Sequence, residues 1–138
     1  MSIQQCKLVE FPTIEDPRGN LTFIESTRHI PFEIRRVYYV YDVPNSANRG
    51  AHGHAALRQI LIAINGSFTV HLDDARDQRV QHLSAPNVGL YLSPMIWRDI
   101  TDFSEGAVCM VLASDFYDEK DYFRNYDSFR KAVESGKG

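Results

Sequence analysis

From residue 21 to residue 114 the sequence is a train of short strand-forming segments separated by turn residues, and this is its most restrictive feature. NLTFIES alternates, with Leu21 and Phe23 on one side and Thr22 and Ile24 on the other. IRRVYYVYD follows, rich in β-branched and aromatic residues. LRQILIAIN, SFTVHLDD, VQHL, VGLYL, WRDITDF and AVCMVLAS continue the series. Asn65-Gly66 lies between two such runs, and both residues accept positive φ, so the pair predicts a hairpin. The run Asp73 to Asp77 reads as the next turn, and Pro86 and Pro94 punctuate the remainder. Strands this short and this numerous predict an all-β, antiparallel barrel or sandwich. The C-terminal segment departs from the pattern. Tyr122, Phe123, Tyr126, Phe129 and Val133 recur at helical spacing with charges between them, which predicts a short C-terminal helix over about 118–135. Its aromatic stripe reads as packing, against the β body or a second subunit.

A chain of 138 residues suits one domain over 1–138, large enough for a single core and a ligand-sized cavity. There are 15 basic and 18 acidic residues, a net charge of −3, so no basic field argues for nucleic acid. Cys6 and Cys109 stand far apart and fit no paired-cysteine pattern, which reads as reduced thiols. MSIQQCKLVEF lacks a basic region followed by an apolar stretch, and the apolar run ILIAI is too short to span a bilayer. A soluble, cytoplasmic protein with neither membrane nor nucleic-acid partner is the expectation.

The chemistry concentrates in RGAHGHAALRQ, residues 49–59. On a strand, His52 and His54 point to one face. Two strand histidines in an arbitrary protein are commonly solvated or satisfied in a core. Here they begin a longer pattern: H-x-H, four residues, Gln59, six residues, Gly66. That spacing resembles the first motif of the cupin superfamily, whose metal-binding members carry Glu where this chain has Gln59. The second cupin motif resembles Gly89-x4-Pro94-x3 followed by histidine, and here Arg98 stands in that last place. An amide replaces an anionic ligand and a guanidinium, which only donates, replaces an imidazole. The pair therefore reads as proton-moving rather than metal-binding, with no metal and no cofactor expected.

The likeness extends further. RRVYYVYD, RGAHGHAALRQILIAINGS, VGLYLSPMIW and DFSEGAVCMVLASDFYDEKDYFRNYD, with DPRGNLTFIE and IPFEIRR upstream, resemble the dTDP-4-keto-6-deoxy-D-glucose 3,4-ketoisomerases over most of residues 16 to 127. The resemblance implies a cupin-like antiparallel β-barrel (jelly roll), a metal-free homodimer, and a dTDP-linked 4-keto-6-deoxy sugar as substrate. It also implies a place in deoxyamino-sugar biosynthesis of the kind that serves O-antigen lipopolysaccharide. By the same resemblance His52 and His54 are the proton-transfer candidates, with base and acid unassigned between them, and Tyr38 is a catalytic candidate. Arg98 would disfavour a charged imidazolium and stabilise a developing oxyanion.

Other candidates come from residue type and position. Arg36 and Tyr38 share a strand face suited to a cavity wall, opposite Val37, Tyr39 and Tyr41; an outward polar face is the alternative. Arg18 and Arg49, each before a glycine, are candidates for paired contacts with a diphosphate, with surface solvation as the alternative. Gln59 would point into the cavity in the cupin register. Trp97, the only tryptophan, would form a wall beside sugar or base, or serve the core. His29, His71 and His82 fit no motif and read as structural or exposed. The rival functions are a dTDP-sugar 3,5-epimerase, a non-catalytic sugar-nucleotide-binding cupin, and a metal dioxygenase. Against epimerisation, Gly53 and a second inward histidine follow His52 where an epimerase typically has an aromatic residue and Gln.

Overall fold

The computed structural model describes residues 3–44 and 46–136; Met1, Ser2, Asn45, Lys137 and Gly138, which the domain expectation of 1–138 includes, lie outside the described residues. Strands are numbered in chain order. One sheet runs β1 (Leu8–Glu10), β9 (Val88–Leu92), β6 (Gln59–Asn65), β11 (Val108–Ala113), β4 (Arg36–Val40). The other runs β12 (Tyr122–Phe123), β5 (Arg49–His54), β10 (Trp97–Thr101), β7 (Phe68–Asp73), β8 (Gln78–Leu83). Every pairing is antiparallel. A separate two-stranded ribbon pairs β2 (Thr13–Ile14) with β3 (Leu21–Thr22). NLTFIES thus forms a much shorter strand than its alternation predicts, because only the ribbon partner is present along it.

The sheets face each other across one core. Leu61, Leu90, Leu92, Cys109 and Val111 from the first meet Phe68, Val70, Leu72 and Ile100 from the second. On β7 the alternation is direct: Phe68, Val70 and Leu72 are buried and the residues between them are not. β6 carries a run of five buried residues because it is covered on both faces. Its outer face meets Phe11, Ile30, Phe32 and Leu112 in a second cluster.

The Asn65-Gly66 hairpin does not form. β6 is already paired on both edges, with β9 and β11, and β7 with β8 and β10, so the turn instead carries the chain from one sheet to the other. Gly66 does take φ +68°, and a Cβ there would stand 2.9 Å from Ala107 Cα. The glycine is required, for a crossing rather than for a hairpin. The turn at Asp73 to Asp77 does close a hairpin, joining β7 to β8.

The C-terminal helix is shorter than periodicity predicts. α1 spans Tyr126–Ser135, capped by Asn125, whose side chain accepts from Ser128 N at 2.9 Å. Before it come a 3-10 turn at Glu119–Asp121 and then β12, which pairs with Gly53 and His54. Backbone pairing to β5 claims Tyr122 and Phe123, so the stripe that looked continuous is split between strand and helix. Phe129 and Val133 are buried by α1, and Gly53 makes this possible: a Cβ at Gly53 would lie 3.2 Å from Phe129 Cδ1 and from Ile96 O. The glycine between the two histidines therefore lets α1 lie close on the outer side of β5 while both imidazoles stay on the inner side.

Candidate active site

A cavity of about 790 Å³ opens between the sheets, lined among others by Arg36, Tyr38, Arg49, His52, Arg98 and Tyr122. β5 and β10 are adjacent, and their register sets Arg98 directly opposite His52. Arg98 is only 3% exposed. It is held by Ile96 O, which accepts from Nε at 3.4 Å and Nη2 at 3.2 Å, and its Nη1 donates to Gln59 Oε1 on the opposite sheet. That contact orients the amide, so Gln59 Nε2 donates to the Tyr38 hydroxyl oxygen at 2.8 Å. The hydroxyl proton of Tyr38 is then free to point elsewhere. Arg98, Gln59 and Tyr38 form a polar chain with one direction, from guanidinium to phenol. Burial raises the Tyr38 pKa and nearby Arg98 opposes that rise.

The two histidines face the same way at different depths. His52 lines the cavity, whereas His54 is 1% exposed and lies behind it. Their rings meet edge to face, centroids 4.9 Å apart, and Tyr122 lies against both at 5.1 and 4.3 Å. Burial first, and then the guanidiniums of Arg98 and others, push His52 down to about 3 and His54 down to about 2. Both are neutral imidazoles at ordinary pH, able to accept a proton. The Nε2 atoms of both are buried without a protein partner. Arg98 itself is pushed down to about 10, mainly by burial, and stays a cation near neutrality.

The wall beyond His52 comes from the segment between β11 and α1. Arg124 lies 3.9 Å over the Tyr122 ring and is paired with Glu119 through two bonds of 2.9 and 2.8 Å. Tyr117 donates its hydroxyl proton to Glu119, and Arg36 lies over the rings of Tyr38 and Tyr117 at 5.2 and 5.7 Å. With Arg49, four guanidiniums border one cavity, a field suited to a polyanionic ligand.

The structure therefore brings together His52, Tyr38, Arg36, Arg49 and Arg98 around the cavity, with His54 and Gln59 immediately behind. It does not bring Arg18 or Trp97 there. Arg18 is 90% exposed and paired to Asp16, so the binding role expected from its Arg-Gly setting has no support within one chain. Trp97 alternates with Arg98 on β10 and so faces the other way, with its ring 5.4 Å from Tyr126 and 5.9 Å from Phe129; it anchors α1. Tyr122 and Arg124 escaped sequence reasoning because helical spacing absorbed their segment, and Tyr117 lies just before it. The signal available was that DYFRN ends in an N-capping residue, so the helix has to begin after it. His71 and His82 bond Thr101 and Thr69 hydroxyls, and His29 accepts from Glu25 N, as structural residues do. Among the described residues there is no group of three or more His, Cys, Asp or Glu placed to hold a metal ion.

Known proteins resemble this chain in sequence and fold. The family model described as "FdtA: WxcM-like, C-terminal" matches residues 4–134. A TDP-4-oxo-6-deoxy-alpha-D-glucose-3,4-oxoisomerase of Aneurinibacillus thermoaerophilus is 47% identical over 127 residues, 92% of this chain and 91% of that protein. A variant of the 3,4-ketoisomerase QdtA from Thermoanaerobacterium thermosaccharolyticum, solved with TDP-4-keto-6-deoxyglucose, superposes with a TM-score of 0.94 at 42% identity, covering 96% of each chain. A 3,4-ketoisomerase from Helicobacter canadensis gives 0.92 at 43% identity, covering 94% of this chain and 98% of that one. The 3'-monoepimerase ChmJ of Streptomyces bikiniensis, at 16% identity and a TM-score of 0.74 over 88% of this chain and 70% of that one, shares the fold only. On the family match over residues 4–134 and this identity along nearly the whole length, the chain belongs to the FdtA, WxcM-like family of sugar-nucleotide 3,4-ketoisomerases.

Proposed function

We infer that this chain is a 3,4-ketoisomerase acting on TDP-4-keto-6-deoxyglucose, and that it needs only its own side chains to move the carbonyl. One observation supports the mechanism above the others: a neutral imidazole, His52, on the wall of a cavity directly opposite a buried guanidinium, Arg98. The C4 ketone acidifies the hydrogen on C3. His52 takes that proton, the C–H electron pair becomes the C3=C4 bond, and the former ketone oxygen becomes an enediolate oxygen. Arg98 and the Tyr38 hydroxyl proton stabilise that oxygen as charge develops. The C3 hydroxyl proton then passes to the C4 oxygen, and the C3 carbonyl forms as the C=C electron pair takes up a proton at C4, replacing the one removed from C3. Atoms and electrons balance within the substrate, so no external oxidant or reductant enters. Arg36, Arg49 and Arg124 are the candidates for the diphosphate.

The same reading makes the protein a homodimer in the cytoplasm that works without a metal. Support for the dimer is the exposed apolar surface. β4 is an edge strand whose outer residues Val37 and Tyr39 are 52% and 61% exposed, and Leu8, Ile14 and Leu21 are about half exposed. No helix among the described residues is long and apolar enough to cross a membrane.

The test is proton NMR of TDP-4-keto-6-deoxyglucose incubated with chelator-treated protein. A new 3-keto species supports metal-independent ketoisomerisation, and its H4–H5 coupling identifies the C4 configuration. Substrate unchanged over hours refutes it. Light scattering of the eluted protein at twice 15.8 kDa supports the dimer, and a monomer mass refutes it.

A further inference from the structure

His54 is the most deeply buried ionisable group of the site other than by function explained so far: its ring is 1% exposed, and its Nε2 has no protein partner. Its other nitrogen is held. Asp121 Oδ2 lies 3.0 Å from His54 Nδ1. Asp121 is the last residue of the 3-10 turn that precedes β12, 67 residues away in sequence, and both its carboxylate oxygens are hydrogen-bonded. Oδ1 accepts from Ala56 N at 2.7 Å, Oδ2 accepts from Leu57 N at 3.3 Å, and the main-chain oxygen accepts from Ala55 N at 2.9 Å. Three backbone amides after β5 thus hold the carboxylate and its residue in place. A carboxylate held this way can only accept, so the proton between it and the imidazole has to come from Nδ1.

We propose that Asp121 is a positioning residue for the isomerisation: by accepting from His54 Nδ1–H it fixes the tautomer in which Nε2 carries a bare lone pair, so that His54 stands as a neutral acceptor packed against His52. This rests on the ketoisomerase reading above. The arrangement explains why two histidines are present where one lines the cavity. His52 exchanges protons with the sugar, and His54, edge to face with it and under the Tyr122 ring, offers a neutral acceptor of defined polarity at the inner end of the pair. Burial and the neighbouring guanidiniums keep that acceptor unprotonated, so the carboxylate sets its tautomer without charging it.

The decisive variant is Asp121→Asn. Asn retains an oxygen for Ala56 N and sets an amide N–H against His54 Nδ1, reversing the hydrogen bond and moving the histidine proton to Nε2. Long-range proton–nitrogen NMR on histidine-labelled protein reads the tautomer directly. Wild type is expected to show a protonated Nδ1 and a bare Nε2 at His54, and D121N the reverse. With the TDP-keto sugar, kcat is expected to fall about 10²–10⁴-fold in D121N while KM stays within about threefold, the pattern of a lost tautomer rather than lost binding. A wild-type His54 protonated at Nε2 or at both nitrogens overturns the proposal, as does a D121N enzyme within about threefold of wild type. If D121N does not fold, the wild-type spectrum still decides. An inactive wild type refutes the ketoisomerase reading instead, while the tautomer measurement continues to report on Asp121.

Discussion

Acid should destabilise this protein through its buried histidine pair. His54 is pushed down to about 2 and His52 to about 3 in the folded chain, whereas an unfolded histidine titrates near 6.5. Both shifts are downward, so the unfolded chain binds protons the folded one refuses. The cost therefore begins as pH falls through 6.5 and accumulates until the folded-state values are reached. For one such group it is RT ln(1 + 10^(6.5−pH)), about 0.1 kcal/mol at pH 7.5 and about 1.4 kcal/mol at pH 5.5. The groups facing His54 are Asp121 on one side and Arg98, Arg36, Arg124 and His52 on the other, so cations outnumber the single carboxylate that would welcome a charge. His52 is the more accessible and contributes somewhat less. Together the pair removes about 2–3 kcal/mol between pH 7.5 and 5.5, against a total stability of roughly 5–15 kcal/mol for a domain. Urea unfolding at both pH values measures this as a drop in midpoint of roughly 1–2 M. The double variant His52→Gln, His54→Gln should lose most of that difference. A wild type equally stable at the two pH values, or a drop that persists unchanged in the double variant, would refute the claim that the buried pair is neutral.

Other outcomes follow from single contacts. Gly53→Ala puts a methyl 3.2 Å from Phe129 and from Ile96 O, and should cost about 1–3 kcal/mol, read as a lowered melting temperature. Arg98→Met removes the cation opposite His52 and leaves Gln59 without its donor. It should lower kcat about 10²–10³-fold and raise the His52 pKa, seen by NMR titration. Tyr38→Phe keeps the ring and deletes the hydroxyl that accepts from Gln59, so kcat should fall about 10–100-fold with the fold intact by circular dichroism. Arg124→Gln should raise KM for the nucleotide sugar about 10-fold and leave kcat within about twofold; an unchanged KM would remove Arg124 from the binding surface.

What the sequence settled by itself was local. Strand-forming segments marked β3 to β11 but not β1, β2 or β12, and the one-residue spacing of His52 and His54 put both imidazoles on one face, because side-chain direction on a strand is a matter of parity alone. The same parity put Arg36 and Tyr38 on one face and Val37 and Tyr39 on the other; the tertiary structure turned the first pair to the cavity and left the second exposed. Residue chemistry alone made Gln59 and Arg98 poor replacements for metal ligands. Everything that depended on which strands become neighbours waited for the tertiary structure. Asn65-Gly66 crosses between sheets because both flanking strands find their partners elsewhere. Trp97 serves α1 because Arg98 beside it faces the interior, and Arg18 is bound to Asp16 outside the cavity. Asp121 meets His54 across 67 residues because β12 pairs with β5, a contact decided by backbone hydrogen bonds between distant segments and carrying no trace in local spacing.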